Sequence, residues 1–392
     1  MAMHVLVVGA GLSGLCLAHG LRRAGIDVDI FDAELSPFVS HGQSYRLTID
    51  ADGSRALEAC LPPALYDLAT ATSGQREDAL TVYNDRREVL ERVDLPHPRR
   101  LNGDGNGHMP VDRFTLRQIL LGHLDTHLHF QKGFVRYDTH PDGVVAHFDD
   151  GTQYEGDLLV GGDGIGSRVR GQLLPAATVT DMGVRAIFGR TPLLTRGDEI
   201  LDHTLIGDDF VAVASHGHAL VGAPMRFREA PQIAAARLVP DVPLAMRDDY
   251  VAWAVLFPAG DFDESPTDTN VLQDEAALQA RRFPAKFSQV VAEGDPTDTV
   301  LVPIRVAAPV AEWETTRVTL MGDAIHAMPA LGTHDVNMAL HDASLLTDHL
   351  AAAARGDRDL VSAVHEYERV MRRDGFSTAQ RAEAELRQIV GG

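Results

Sequence analysis

Cysteine, lysine, aromatic residues and long apolar runs are all scarce in this sequence. Cys16 and Cys60 are the two cysteines among 392 residues. Two thiols allow at most one disulfide, which excludes a small secreted scaffold held by disulfides. Cys16 falls in an apolar helical stripe, where it reads as a small buried hydrophobe. Lys132 and Lys286 are the only lysines, and every other basic residue is arginine. No apolar run approaches the roughly 20 residues of a membrane span. Met1 leads directly into a strand rather than a signal peptide, so the expected compartment is the cytoplasm. Basic charge is outnumbered, with 56 acidic against 35 basic residues and a formal net charge of -21. Such a surface repels phosphate backbones and anionic headgroups. Neither nucleic acid nor membrane is an expected partner.

The residues that are present describe an ordinary globular protein. Hydrophobic residues make up 45% and charged residues 23%, a balance that excludes disorder, collagen and coiled coil. At about 150 residues per domain, the length suits two or three domains. The chain opens with His4-Val5-Leu6-Val7-Val8, then Gly9-Ala10-Gly11-Leu12-Ser13-Gly14. Leu12, Leu15, Cys16, Ala18 and Leu21 follow at helical spacing, ending at the capping glycine Gly25. Val28 to Asp32 reads as the next strand, so the unit is βαβ and implies a parallel sheet.

The first chemical motif lies inside that unit. Gly9 permits a tight turn, Gly11 lets backbone amides approach a pyrophosphate, and Gly14 allows close helix–sheet packing. Leu12 and Ser13 open the helix, whose N-terminus favours phosphate. Asp32 ends the second strand about 20 residues on, where an acid can hold ribose hydroxyls. The motif predicts a dinucleotide and does not distinguish FAD from NAD. Two more glycine clusters follow buried-looking strands: Gly161-Gly162-Asp163-Gly164 and Gly322-Asp323-Ala324-Ile325-His326, the latter followed by Pro329. Taken singly, Asp163 reads as an Asp-Gly turn residue and Asp323 as a helix N-cap. Short β-like runs dominate from 175 to 310, an amphipathic helical stretch covers Asp274 to Glu293, and two helices are predicted at Val336–Ala354 and Leu360–Ile389.

In order and spacing, the three motifs resemble the class A flavoprotein monooxygenases, the family of para-hydroxybenzoate hydroxylase. The resemblance covers the chain to about residue 350. It implies an α/β fold: a Rossmann-like FAD-binding domain of the glutathione-reductase and hydroxylase type, with an inserted β-sheet substrate domain and C-terminal helices. The expected bounds are 1–174 and 276–392 for the discontinuous FAD domain and 175–275 for the sheet. By resemblance, Gly9, Gly11, Leu12, Ser13, Gly14 and Asp32 bind FAD, as do Asp163, Gly322 and Asp323. Arg46 matches an arginine approaching the cofactor, and Arg113 matches one at its ribityl–phosphate region, with Arg117 the competing position. Pro329 matches the proline beside the reactive flavin edge, and Gly332 and Asn337 belong to the loop that follows it.

That loop departs from the family. Thr333 and Asp335 stand where Gly-x-Gly-x-Asn has its glycines. A Thr there resists positive φ, and a carboxylate at Asp335 would oppose an anionic reduced flavin. The expected consequences are a shifted loop using Gly332, an altered potential, or a weakly held or silent flavin. No metal site is expected, since His123, His127 and His129 lack completing ligands. No Gly-x-Ser-x-Gly nucleophile motif occurs in a strand–helix context, and no catalytic acid or base is assigned.

The resemblance implies an FAD-dependent monooxygenase that uses NAD(P)H and O₂, through a flavin C(4a)-hydroperoxide, on an aromatic or polyketide-like small molecule. The competing reading is a non-oxidative cyclase or isomerase of natural-product biosynthesis on the same scaffold. A third is a non-enzymatic flavin-binding sensor. Strand alternation offers Val211, Val213, Trp253, Val255 and Phe257 as substrate-pocket walls.

Overall fold

The computed structural model describes residues 3–36, 45–75, 79–83, 88–94, 109–193, 210–262, 268–329 and 334–391. The opening unit forms as its periodicity dictates. Strand β1 (His4–Val8) enters helix α1 (Leu12–Arg23), which returns to β2 (Asp27–Phe31). Leu15, Cys16, Ala18 and Leu21 are buried on α1, and Gly25 closes the helix at φ 76°. Next come β3 (Arg46–Ile49), α2 (Ala51–Cys60), α3 (Pro63–Ala71), β4 (Ala79–Tyr83), β5 (Val89–Asp94), β6 (Met109–Asp112) and α4 (Arg113–Leu121). Asp50 caps α2 by accepting from the Asp52 and Gly53 amides, and Asp112 caps α4 by accepting from Thr115.

Beyond α4 lie β7 (Leu128–His129), β8 (Phe134–His140), β9 (Gly143–Phe148), β10 (Gln153–Gly156), β11 (Leu158–Gly161) and α5 (Arg168–Leu173). The middle of the chain supplies β12 (Val179–Pro192), β13 (Phe210–Ser215), β14 (His218–Met225), α6 (Pro231–Leu238) and β15 (Tyr250–Pro258). The helical stretch predicted over Asp274 to Glu293 is two helices, α7 (Thr269–Ala280) and α8 (Ala285–Ala292), divided just before Pro284. The chain ends through β16 (Val300–Ala307), β17 (Val318–Leu320), α9 (Asp323–His326), α10 (His334–Ala354) and α11 (Leu360–Gly391).

The first sheet is parallel, in the order β17-β11-β1-β2-β7. The motif strands β1, β11 and β17 are therefore adjacent although their sequence positions are far apart. Strands β1 and β11 lie inside the sheet, which explains their apolar runs, and every residue of β11 and of the edge strand β17 is buried. A second, seven-stranded sheet has the order β16-β12-β15-β14-β13-β4-β5. It recruits 79–83, 89–94 and 300–307 as well as strands from the expected 175–275 stretch. Strand β4 joins by a parallel pairing with β13, and β16 by an antiparallel pairing with β12.

The second sheet has two unlike faces. One carries Ile187, Val211, Val213, Trp253, Val255 and Phe257, packed against Ala276, Phe287 and Val291 of α7 and α8. The other carries Phe188, Ala212, Ala219, Val221, Ala254 and Leu256, with Leu386 of α11 covering part of it. Phe188 on this second face meets Tyr45, just before β3, at a ring separation of 5.4 Å. The small-residue face thus looks toward the parallel-sheet domain.

Candidate functional site

Four segments converge where β1 ends: the Gly9–Gly14 loop, the start of α4, the Gly322–Asp323 turn and the start of α10. Gly9 has φ 110°, and a Cβ there would lie 2.3 Å from the Gly162 carbonyl oxygen. No L-side chain fits that turn. A Cβ on Gly14 would fall 2.1 Å from the Gly9 carbonyl oxygen, so α1 can pack on the loop only through glycine. At Gly11 the opposite holds: nothing lies within 4 Å. The loop is tight against the sheet and open on its outer side, beside the free amides at the α1 N-terminus. Space at Gly11 and closure at Gly9 and Gly14 suit a pyrophosphate.

Asp32 stabilises this loop. Its Oδ2 accepts the Ala10 amide at 2.7 Å and its Oδ1 accepts the Glu34 amide at 2.8 Å. Each carboxylate oxygen retains a further lone pair for a ribose hydroxyl. Arg117, nearly buried on α4, donates from Nε to the Ala10 carbonyl at 3.1 Å and from Nη2 to Glu34 at 2.7 Å. Arg117 is therefore a brace behind the loop. Arg113, one turn earlier, takes the outward position, with its guanidinium 5.5 Å from the Tyr45 ring centroid.

Gly322 adopts φ 58° and ψ -141°, a conformation reserved for glycine. It is wedged between α1 and α10, since a Cβ would lie 3.4 Å from Ser13 Oγ and 3.2 Å from Ala339 Cβ. Its amide donates to Asp342 Oδ2 at 2.9 Å, and His326 Nε2 pairs with the same oxygen at 2.7 Å. Both side chains of that pair are fully buried. Burial alone would lower the His326 pKa, but the charge and hydrogen bond of Asp342, with Asp323 behind them, hold it above the usual histidine range. Asp323 itself is exposed within a concave setting, and burial by the surrounding walls raises its carboxyl.

Asp335 enters from the first turn of α10. Burial, followed by the charge of Asp323, pushes its carboxyl up to about 7. Its Oδ1 is buried without a hydrogen-bond partner. Arg113 is the cation acting on both carboxyls.

Several expected site residues take other positions. Asp163 accepts the Ser167 hydroxyl at 2.5 Å and the Arg168 amide at 2.8 Å, so it organises the start of α5 while Gly162 packs on Gly9. Asn337 donates to the Thr48 carbonyl at 2.9 Å and accepts the Asp50 amide at 3.0 Å, pinning α10 to β3 and α2. Arg46 faces Asp112 in the β3–β6 register and donates to Thr48 Oγ1. Burial pushes its guanidinium down to about 10, countered by Tyr250 of the second sheet. Arg46 therefore sits at the junction of the domains. Leu12 and Pro329 are buried, whereas Gly332 and Thr333 lie outside the described residues.

Val211, Val213, Trp253, Val255 and Phe257 do not line the space facing the parallel sheet. They form the core beneath α7 and α8, because alternation separates two faces without telling which one helices cover. Sequence reading also missed the tie between the second sheet and the β3–β6 pair. Tyr250 donates to Asp112 Oδ2 at 2.9 Å, while Asp112 Oδ1 caps α4. The N-cap signal at Asp112 was available in Asp112-Arg113-Phe114-Thr115, but nothing local pointed to Tyr250.

Among the described residues, no group of three His, Cys, Asp or Glu could hold a metal. No described helix is long and apolar enough to cross a membrane.

Comparison with known proteins agrees with this geometry. An FAD binding domain family model matches residues 115–374, and an NAD(P)-binding Rossmann-like domain model matches residues 7–51. The chain belongs to the class A FAD-dependent monooxygenase family, the para-hydroxybenzoate hydroxylase-like group, and it binds FAD. It is 30% identical over 432 aligned residues to the dual O-methyltransferase/FAD-dependent monooxygenase CTB3 of Cercospora beticola. The alignment covers 99% of this chain and 46% of that protein, so the chain spans about half of that relative's length. The FAD-dependent monooxygenase dbaB of Emericella nidulans is 27% identical, with 89% of this chain and 87% of that protein covered. A Photorhabdus luminescens structure classed as an FAD-containing monooxygenase superposes with a TM-score of 0.84 at 27% identity, covering 99% of each chain.

Proposed function

We propose that this chain is an FAD-dependent monooxygenase that uses NAD(P)H and O₂ to oxygenate an aromatic or polyketide-like small molecule. The observation that supports this reading is the meeting of the Gly9–Gly14 loop, the Gly322–Asp323 turn and the starts of α4 and α10 at the end of β1. Gly11 and the α1 amides would hold the pyrophosphate, Asp32 the ribose, and Arg113 and Asp323 the polar chain between phosphate and ring. FAD supplies the redox chemistry, accepting hydride equivalents and activating O₂. The protein's own part is positioning and exclusion of water. Ala212, Ala254 and Val221 share a sheet face with Phe188, which meets Tyr45, and would give a flat apolar substrate an apolar wall, with Tyr250, Asp112 and Arg46 as the nearby polar groups.

The test is NAD(P)H oxidation in air by FAD-loaded protein, with and without candidate aromatic substrates. Substrate-stimulated consumption with an oxygenated product supports the reading. One observation favours a second reading. Asp335 offers a protonatable carboxyl at the site, which suits a non-oxidative cyclase or isomerase. Product formed without O₂ or NAD(P)H would select that alternative.

A further inference from the structure

Asp335 is the acid that the other site residues leave unexplained. It lies in the first turn of α10, a helix held in place by Asn337 through Thr48 and Asp50. The carboxyl position is therefore set by a rigid element. Its Oδ1 is buried and makes no hydrogen bond within the protein, a costly arrangement for a carboxylate and a tolerable one for a group that meets a ligand. A second acid, Asp323, acts on it from α9, against one cation, Arg113 of α4. His326 also acts on Asp323 but is paired with buried Asp342, so Arg113 is left to answer two carboxyls, and a proton on one of them removes the excess negative charge.

We propose that Asp335 is the proton-holding group of this site: it enters the FAD complex as a neutral carboxylic acid, directed at the cofactor, and takes its proton from solvent as FAD binds. This rests on the FAD-binding reading and goes beyond it. The step is a simple protonation, carboxylate plus H⁺ giving carboxylic acid, and needs no oxidant or reductant. Its direction follows from electrostatics. FAD brings two phosphate charges and displaces water, and both disfavour an ionised Asp335. The expectation that a carboxylate here would oppose a reduced flavin then no longer applies, because the group is neutral when the cofactor is bound.

The groups that set this titration come from several elements. Asp323 raises it and Arg113 lowers it. Tyr45, preceding β3, senses both carboxyls, and His326 lies behind Asp323. On α10 itself, His334 is engaged by Glu385 of α11 at 3.1 Å, and Asp50 at the α2 N-terminus donates its amide to Asn337. With the free carboxyl near 7, uptake should be negligible below about pH 6, where the group is already protonated. It should approach one proton just above neutrality.

The experiment is calorimetric titration of the flavin-depleted full chain with FAD, in pairs of buffers that differ in ionisation enthalpy. The wild-type protein is expected to take up close to one proton per FAD near pH 8 and almost none near pH 6. Asp335→Asn should bind FAD without uptake at pH 8. Asp323→Asn should move the window to lower pH, since the like charge is gone. Heat of binding with no uptake in wild type at any pH, or equal uptake in Asp335→Asn, would overturn the proposal while leaving FAD binding intact. Absence of any binding heat would instead count against the FAD reading. Should Asp335→Asn fold poorly, Asp335→Glu must retain uptake. The infrared spectrum of the FAD-bound wild type must also show a protonated carboxyl band that Asp335→Asn lacks.

Discussion

The His326–Asp342 pair is where a single perturbation should be felt most strongly. Both side chains are fully buried, 2.7 Å apart, and Asp342 also accepts the Gly322 amide at 2.9 Å. Asp342→Ala removes the counter-charge of a buried histidine and the acceptor for a buried amide together. Breaking a buried pair by removing one partner costs about 3–5 kcal/mol, and an orphaned donor alone costs about 1–3 kcal/mol. The two overlap, so the expected loss is about 4 kcal/mol. His326→Ala should cost a similar amount, because it leaves the Asp342 charge alone in the core. The double variant should cost clearly less than the sum, with a coupling of about 2–3 kcal/mol. The pH dependence has a definite sign. His326 titrates above its unfolded value of 6.5, so its stabilising contribution is complete below pH 6.5 and fades as pH rises through the folded value. Urea unfolding of the wild type, both single variants and the double variant across pH 5.5–9 measures all of this. Single losses below about 1 kcal/mol that add without coupling would refute the argument. Asp342→Asn separates the two roles, because its amide oxygen can still receive the Gly322 amide. It should retain FAD better than Asp342→Ala by about tenfold, or 1.4 kcal/mol.

Other consequences are equally direct. Gly11→Ala should change apoprotein stability by no more than about 0.5 kcal/mol and weaken FAD binding at least about tenfold. Gly9→Ala should compromise folding itself, since its Cβ meets backbone; FAD titration beside urea unfolding distinguishes them. Phe257→Ala should destabilise by about 3–5 kcal/mol while leaving the bound-flavin spectrum unchanged. Ala254→Phe, on the opposite face, should raise the substrate KM and divert NAD(P)H consumption to peroxide, as steady-state oxidation with peroxide detection would report. Arg117→Met should remove the Arg117–Glu34 ion pair, loosen the loop carbonyl at Ala10 and weaken FAD binding, as fluorescence quenching of added FAD would show.

The legible parts of the molecule were those with local causes. Gly9, Gly11 and Gly14 could be read because one turn, one ligand and one packing contact each demand glycine at a fixed spacing. The parallel sheet could be read from the βαβ opening, whereas the adjacency of β1, β11 and β17 is seen only in the structure. Asp323 kept its expected place because Gly322 fixes the turn before it. The pocket walls were misplaced, and other contacts went unread, where the cause was not local. Alternation along β13 and β15 marked the larger residues as pocket walls, yet bulk belongs to the face that helices cover. The face turned away from α7 and α8 carries Ala212 and Ala254, whose smallness was the signal available in the sequence. Asp163 and Asn337 have side chains committed to backbone groups nearby or far along the chain, which a motif does not reveal. Strand β4 pairs with β13 across more than a hundred residues of chain, beyond any window of periodicity. Asp335 was noticed as a departure from glycine, but its protonation depends on Asp323 and Arg113 arriving from two other elements.

The central claim is that the space between the parallel sheet and the small-residue face holds an FAD that turns over. Its most direct test is the visible spectrum of the FAD-reconstituted protein after free cofactor is removed, followed through addition of NAD(P)H without and then with air. The account predicts a retained flavin band that bleaches without air and returns with it, faster when a fitting aromatic substrate is present. A retained band that stays unbleached by NADH and NADPH with every substrate tried would contradict the oxygenase reading, and no retained band would contradict the site itself.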